Sequence, residues 1–524
     1  MIGDAAAAWV APHPGDSLWG LVEWRAAASP ARLLAVDEQG RQTTFGEYRE
    51  ACIGLAGLLT ARGIHPGDVV SWQLPTWVES LVVAGALDLI GAVQNPLLPP
   101  LRRREIEFIV GQVRPRWYLH PGTYHGFDHG ALVADVAADT GAPVEPVLIE
   151  RGDLARWVPQ GVPVAPPADR GDTHWVFYTS GTTGQPKGVR HGHVAVAHAT
   201  IAMCRAMRIG PDDRSVLAFP VTHIGGINWL MGALMSGCSL LLIESFGAPG
   251  TMDLIARSDV TLAGVTTAFH QAYLAEQHAR PERRVLPRVR AFPGGAAPKP
   301  PGLHHQLIAE FGGAGIVSGF GMTEFPMMSM GHIDDPAEQL AGTEGRPSPG
   351  VELVVVGPDG HRCPPGTDGE LRARGPHRML GYVDASLDAD VFDADGFVRT
   401  GDIGHLDRHG CVVVTGRAKE VIVRKGENIS AHEIEHLLHA HPGVADVAVI
   451  GTPDAARGEM VCAVVVPVSG DAPPSLADLV AYLRGHELMP QKLPERLELL
   501  DALPRSATGK VRKDTLKHRF TATG

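Results

Sequence analysis

From about residue 69 onward, short apolar runs alternate with stretches of helical period, and this alternation limits the fold more than any other feature of the chain. A strand followed by a helix and then by another strand of the same direction builds a parallel sheet with helices on its faces. VVSWQL, the helical run from Trp77 to Ile90, AVQN, the basic helix from Arg102 to Val113 and RWYLH form one such series. SVLAFP, the run from Gly226 to Met235, CSLLLIE, TLAGV and VRAFP form a second. Two series predict two related subdomains packed together.

Between Val351 and Arg417 the pattern changes to short strands broken at Pro358-Asp359-Gly360, Asp395-Gly396 and His409-Gly410, the turn signals of antiparallel hairpins. Then Ser430-Ala-His-Glu433 reads as a capping box opening a helix with Ile434, Leu437 and Leu438 on one face, closed by Pro442-Gly443. VADVAVI, MVCAVVVPV, an amphipathic helix near Leu476 to Leu483 and RLELL complete a separate α+β unit. The expected fold class is α/β with α+β. A large N-terminal domain, residues 1–418, holds two parallel-sheet subdomains and a small β-rich subdomain, and residues 419–524 form a small C-terminal α+β domain. Proline-rich stretches such as VPVAPPADR and GDAPPS read as loops.

A net charge of -12 argues against a general nucleic-acid or membrane-surface binder, while an anionic small ligand stays admissible because local loop geometry dominates its binding. The six cysteines are scattered, without a CxxC pair or zinc spacing, and read as buried reduced thiols. MIGDAAAAWVAPHPGD lacks the basic flank of a secretory signal. The most apolar stretches, Ser80 to Val93 and Trp229 to Ile243, are interrupted by Asp88 or too short for a span of about 20 residues. The expected location is therefore cytoplasmic.

Residues 178 to 188, YTSGTTGQPKG, put glycines, hydroxyls and one lysine behind the apolar run WVF. The stretch is not a Walker loop, because Lys187 follows Pro186 rather than glycine and precedes Gly188 rather than Ser or Thr. It is not a dinucleotide fingerprint either, since no GxGxxG opens a helix there. The ingredients for oxyanions are nonetheless present: amides freed at Gly181 and Gly184, the hydroxyls of Thr179, Ser180, Thr182 and Thr183, and the ammonium of Lys187. Taken alone, such a cluster is more often a surface turn.

Its company decides the matter. With PGGAAP at 293 to 298, GFGMTE at 319 to 324, RTGD at 399 to 402, GRAKEVIVRKGENISAHEIE at 416 to 435 and PRSATGK at 504 to 510, the chain resembles the adenylate-forming superfamily of acyl-CoA synthetases, peptide-synthetase adenylation domains and luciferases. The resemblance covers nearly the whole length, and six motifs in this order leave no room for coincidence.

The resemblance implies that the loop 179 to 188 holds the β- and γ-phosphates of ATP and then releases pyrophosphate. Within GFGMTE, Gly319, Phe320 and Gly321 would line the nucleotide, with Phe320 in the place of the family's usual tyrosine over adenine. Thr323 would touch the α-phosphate and Glu324 would help hold magnesium, a hard cation suited to oxygen ligands. Asp402 would accept from both ribose hydroxyls and Arg417 would add a second ribose contact. Lys510 would bridge carboxylate and phosphate during adenylation, where a positioned ammonium favours the transition state. Lys419 matches the hinge about which the small domain rotates, removing Lys510 and delivering Lys425 and Gly426, where a thin pantetheine arm passes close to backbone.

FPVTHIGG at 219 to 226 matches the segment whose aromatic or histidine gates the carboxylate site, here His223. The aspartate that pairs with the ammonium of an α-amino acid in relatives of that kind has no counterpart at Val221, Thr222 or His223. Ile224, Gly225, Gly226, Ile227 and Trp229, with Gly294, Gly295 and Ala296, are apolar and small, which predicts a hydrocarbon acid and room for a bulky or cyclic group. LPTWVESLVVAGAL, GAVQNPLLPP and PGTYHGFDHG are similar to bacterial ligases of the cyclohexanecarboxylate and medium-chain acid type. The resemblance thus implies an AMP-forming acid:CoA ligase of fatty acid metabolism, with ATP and Mg2+ as cofactors, coenzyme A as co-substrate and a carboxylic acid as substrate. Its partners include neither nucleic acid nor a membrane span, and a homodimer is admissible. The alternative enzyme loads the acyl group onto a separate carrier protein, because the chain ends shortly after Lys510; a non-enzymatic nucleotide sensor is disfavoured by the presence of Lys187, Glu324 and Lys510 together.

Overall fold

The computed structural model describes residues 17–521 except 158–163, 169–170, 180–185, 249, 265, 296–298, 300–301, 419–420, 425–426, 455–457, 471, 487, 489–491 and 507–508. The first series forms a sheet whose strands run in the spatial order Gly381–Tyr382, Lys187–His191, Trp175–Thr179, Val93–Pro96, Val69–Trp72, Trp117–His120, Glu145–Leu148. From Trp175–Thr179 to Glu145–Leu148 every pairing is parallel, while Lys187–His191 turns back antiparallel and pairs Gly381–Tyr382 the same way.

The second series gives the parallel strands Arg214–Leu217 and Ser239–Leu242, joined by Leu33–Val36 from ahead of the predicted region, with Gln42–Thr44 antiparallel at the edge. Phe292–Gly295 and Ile316–Met322 pair in parallel beyond it, and Phe325–Met330 returns antiparallel. The predicted strand TLAGV is not one. Only Leu262 bridges its neighbours, to Ser215 on one side and Ala291 on the other. Two residues further along that ladder stands Pro293, which has no N–H to continue it.

Two helices between these sheets carry the main core. In Val78–Ile90 every residue is buried, the all-round apolar character of a helix enclosed on all sides. The charge that interrupts its sequence, Asp88, accepts the Trp19 backbone N–H at 2.7 Å at the start of helix Leu18–Ala28, where the amides of a helix N-terminus favour an anion. Helix Ile224–Ser236 ends on the buried Arg25, whose Nε and Nη2 donate to the carbonyls of Leu234 and Met235 at 2.6 and 2.8 Å. That guanidinium satisfies carbonyls that a helix end otherwise leaves orphaned.

The hairpin region is fully antiparallel, in the order Glu352–Val356, Gly369–Arg374, Val398–Leu406, Val412–Arg417. Its three predicted turns have glycine at positive φ: Gly360 at 81°, Gly396 at 77° and Gly410 at 75°. In the C-terminal unit, Gly458–Pro467 pairs antiparallel with Val444–Asp454 and parallel with Arg496–Leu499, and the hairpin Val421–Arg424 with Glu427–Ser430 joins the same sheet. The capping box at Ser430 is half formed: its hydroxyl accepts from the Glu433 N–H at 3.3 Å, whereas the Glu433 carboxylate turns to Lys492 at 2.5 Å. Among the described residues, no helix is long and apolar enough to cross a membrane.

Two outcomes follow from this packing. Arg25→Ala removes two charge-assisted hydrogen bonds from a buried helix end and should cost about 3 kcal/mol in denaturant unfolding. A loss under about 0.5 kcal/mol would contradict the capping role. Burial also pushes the imidazoles of His129, His191, His223, His270, His304 and His377 down to about 4. The unfolded chain, with ordinary histidines, therefore binds more protons between these values. Stability should be level above pH 7 and fall as pH drops from about 6.5 toward 4. Thermal midpoints across that range check it; a midpoint rising with acidification would refute it.

Candidate active site

The segment predicted to hold phosphate lies in sequence between two strands that pair antiparallel. Thr179, the last residue of one, stands opposite Lys187, the first of the next. The hydroxyl-rich tip, with Ser180, Gly181, Thr182, Thr183 and Gly184, lies outside the described residues, as do Ala296, the predicted hinge Lys419 and the Lys425–Gly426 pair. The Lys187 ammonium sits 5.4 Å from the centre of the Tyr382 ring, a cation–π distance. Tyr382 reaches that place because its short strand pairs with Lys187–His191, Val189 opposite Tyr382.

The Tyr382 hydroxyl donates to Glu324 Oε1 at 2.7 Å. Glu324 follows Thr323 in the turn between strands Ile316–Met322 and Phe325–Met330. Burial raises its carboxyl above the usual carboxylate range, opposed by the Tyr382 hydrogen bond and by the charges of Lys187 and Arg417. A carboxylate kept from water in this way gains from a bound cation. Among the described residues, no group of three His, Cys, Asp or Glu side chains converges as a metal site. One buried carboxylate fits magnesium, which takes one or two protein carboxylates and draws its other ligands from water and nucleotide phosphates.

Asp402 and Arg417 face each other across the strands Val398–Leu406 and Val412–Arg417, and Arg417 Nε donates to Asp402 Oδ1 at 2.6 Å. Asp402 is buried, so the guanidinium orients a carboxylate that has little other freedom. The sharp bend ahead of it uses Gly401 at φ 69°, with the Thr400 hydroxyl accepting the Asp402 N–H.

Phe320 is only 9 % exposed and joins Val189, Phe325, Met328 and Tyr382 in a hydrophobic cluster, which leaves little of its ring open to an adenine. Gly319 and Gly321 are crowded: an added Cβ at Gly319 would lie 2.8 Å from Met327 Sδ, and one at Gly321 would meet the Pro326 carbonyl. These glycines permit the tight antiparallel return that places Thr323 and Glu324.

His223 is the N-cap of helix Ile224–Ser236, its Nδ1 accepting the Gly225 N–H at 3.1 Å. That acceptor role puts the ring proton on Nε2, and a neutral imidazole with one donor remains. The Phe219 ring meets it edge-on at 6.2 Å. Two of the predicted pocket positions serve packing instead. Ile227 is wholly buried in the core, and an added Cβ at Gly226 would fall 2.5 Å from Val221 Cα, so this glycine admits backbone contact rather than substrate. Gly225 packs on His223 and Phe219.

The surroundings of Gly294 are mixed: an added Cβ would meet the apolar Ile316 Cγ2 first, at 2.7 Å, with polar side chains further off. An added Cβ there would lie 3.6 Å from both His270 Cε1 and Ser318 Oγ. Ser318 donates to Glu344, while Lys299 donates to the carbonyls of Leu340 and Thr343, each at 2.7 Å, with the Glu344 carboxylate 3.5 Å away. Gly295, at φ 153°, lies against the Gly319 carbonyl.

Lys510 stands in a tight hairpin near the chain end. The Ser506 N–H donates to the Lys510 carbonyl at 2.7 Å, the Gly509 N–H donates to the Ser506 carbonyl at 2.9 Å, and Gly509 has φ 82°. An added Cβ at Gly509 would lie 3.1 Å from Thr266 Oγ1. The turn that carries Lys510 therefore rests on the N-terminus of helix Thr267–Ala279. Thr266 was not singled out in the sequence, although a Thr-Thr pair before AFH is a helix-start signal. Tyr382, in LGYVD, carries no such signal.

Known proteins resemble this chain over most of its length. Residues 22–383 match the AMP-binding enzyme family and residues 433–510 its C-terminal domain. The medium-chain fatty-acid–CoA ligase of Escherichia coli (strain K12) is 29% identical over 97% of this chain and 92% of its own length. The salicyl-AMP ligase / salicyl-S-ArCP synthetase of Mycobacterium tuberculosis (strain ATCC 25618 / H37Rv) is 32% identical over 94% of this chain and 89% of its own. The crystal structure of ATP-bound MatB from Rhodopseudomonas palustris superposes with a TM-score of 0.85 at 29% identity, covering 96% of this chain and 99% of that one. With both family domains matched in order, and with Lys187, Glu324, Asp402 and the Lys510 hairpin arranged as described, the chain belongs to the AMP-binding enzyme family.

Proposed function

We propose that the chain is an AMP-forming acid:CoA ligase. The acid's carboxylate attacks the α-phosphorus of ATP, the bond to the β-phosphate oxygen breaks, and acyl-AMP and pyrophosphate form. The thiolate of coenzyme A then attacks the acyl carbonyl, and AMP leaves from the tetrahedral intermediate. The observation that carries this reading is the seat of the Lys510 hairpin against Thr266, which brings the one lysine of PRSATGK onto the domain that holds Lys187, Glu324 and Asp402.

In this reading Thr179, Lys187 and the loop between them hold the departing phosphates, and Asp402, oriented by Arg417, receives the ribose hydroxyls. Thr323 touches the α-phosphate, and Glu324, fixed by Tyr382, holds magnesium, which offsets the charge of the phosphates when bound. The Lys510 ammonium neutralises the charge that builds as carboxylate and phosphate meet. The Nε2–H of neutral His223 faces no competing proton uptake near pH 7 and serves as a donor to the acid's carboxylate. Residues 1–418 and 419–524 act as two domains hinged at Lys419, and rotation exchanges Lys510 for the Lys425–Gly426 segment before the thiol arrives.

Val221, Thr222 and His223 offer no carboxylate to pair with a substrate ammonium, which suits an apolar, medium-chain or alicyclic acid, and the Escherichia coli relative is a medium-chain fatty-acid ligase by name. Delivery to a carrier protein is the second reading, favoured by the Mycobacterium tuberculosis relative, whose name includes a carrier thioester. Acid-dependent exchange of labelled pyrophosphate into ATP tests adenylation, and a panel of free CoA and carriers tests the acceptor; transfer to carriers alone would exclude the CoA ligase. Lys510→Ala should slow adenylation by about 100-fold or more while thioester formation from supplied acyl-AMP stays within about twofold. Equal loss of both half-reactions would contradict the rotation.

A further inference from the structure

Strand Lys187–His191 begins at the phosphate loop and ends at a histidine that the function above does not use. His191 is fully buried, and its Nε2 lies 2.6 Å from the Thr323 carbonyl oxygen. A carbonyl only accepts, so Nε2 carries the proton and Nδ1 is a bare acceptor. Among the described residues Nδ1 has no partner. An apolar side chain at this place would avoid leaving a buried nitrogen unpaired, so the imidazole stands there at a cost that its Nε2 contact must offset.

Alternation along the strand puts Lys187, Val189 and His191 on one face. Val189 is the cross-strand neighbour of Tyr382, whose hydroxyl holds the Glu324 carboxylate. The Met379 N–H donates to the Glu324 carbonyl at 2.9 Å from the same segment. Two consecutive residues, Thr323 and Glu324, are thus tied down at the carbonyl of the first and at both the carbonyl and the carboxylate of the second. The ring itself is steadied by Phe177, edge-on at 6.3 Å from the neighbouring strand.

We propose that His191 is a positioning residue for adenylation: its Nε2–H holds the Thr323 carbonyl and so sets the turn from which Thr323 and Glu324 meet the nucleotide's α-phosphate and metal. This inference rests on the roles given to those two residues under the proposed function. The strand makes the coupling rigid, since the same element that anchors the loop at Lys187 fixes the turn at His191.

His191→Leu removes the donor, and His191→Gln keeps an N–H at nearly the reach of Nε2. The leucine variant should bind a non-hydrolysable Mg–ATP analogue about tenfold more weakly by calorimetry, equivalent to one lost hydrogen bond. Its KM for the acid and its thioester formation from supplied acyl-AMP should stay within about twofold of the parent, and the glutamine variant should recover most of the nucleotide affinity. Unchanged nucleotide affinity, an equal fall in the thioester step, or a glutamine variant no better than leucine would overturn the proposal. Should the leucine variant not fold, the comparison of His191→Gln with His191→Asn decides: the shorter asparagine should lose affinity and glutamine keep it, and equal affinities would overturn the role. Failure of the parent protein to exchange pyrophosphate would defeat the ligase reading instead, while the analogue-binding comparison stays readable.

Discussion

A carboxylate cut off from water holds the site together. Glu324 has lost most of its hydration, and the groups around it replace what water supplied: a phenol donor from Tyr382, and the charges of Lys187 and Arg417 in reach. Each comes from a different part of the chain. Tyr382 stands on the edge strand of the first sheet, Lys187 at the mouth of the phosphate loop, and Arg417 on the last strand of the hairpin domain. Three segments remote in sequence thus converge on one buried carboxylate, a chemistry that suits a divalent cation and its phosphates.

The sheets themselves were legible. Alternation of apolar runs and helical stretches located Val69–Trp72, Val93–Pro96, Trp117–His120, Arg214–Leu217 and Ser239–Leu242, and the turn signals located the hairpins to Arg417, because those signals are local, whereas Glu145–Leu148 and Lys187–His191 were missed. TLAGV misled because its run looks like a strand, while the proline two residues beyond its bridge partner stops the ladder from a distant part of the chain. Leu33–Val36 was missed as a partner of Ser239–Leu242 for the converse reason: its neighbour lies about 200 residues away.

The same division holds at the site. Lys187, Glu324, Asp402, Arg417 and Lys510 were singled out through motif resemblance, since each sits in a short conspicuous phrase. Tyr382, Thr266 and His191 were not, because each matters through a contact with a residue remote in sequence. The surroundings of Gly294 show the same limit: Ile316 packs on it as the apolar reading expects, while His270 and Ser318, the latter paired with Glu344, approach it from separate segments.

We propose that the Lys510 segment, seated on the N-terminus of helix Thr267–Ala279, is in the adenylating arrangement, and that it must leave for thioester formation. The close approach of Gly509 to Thr266 Oγ1 permits a direct test. In a Thr266→Cys/Gly509→Cys protein, the two half-reactions are measured with the cross-link formed and again after reduction. The oxidised protein should still make acyl-AMP but no acyl-CoA, and a reductant should restore the thioester. Undiminished acyl-CoA formation by the fully cross-linked protein would contradict it.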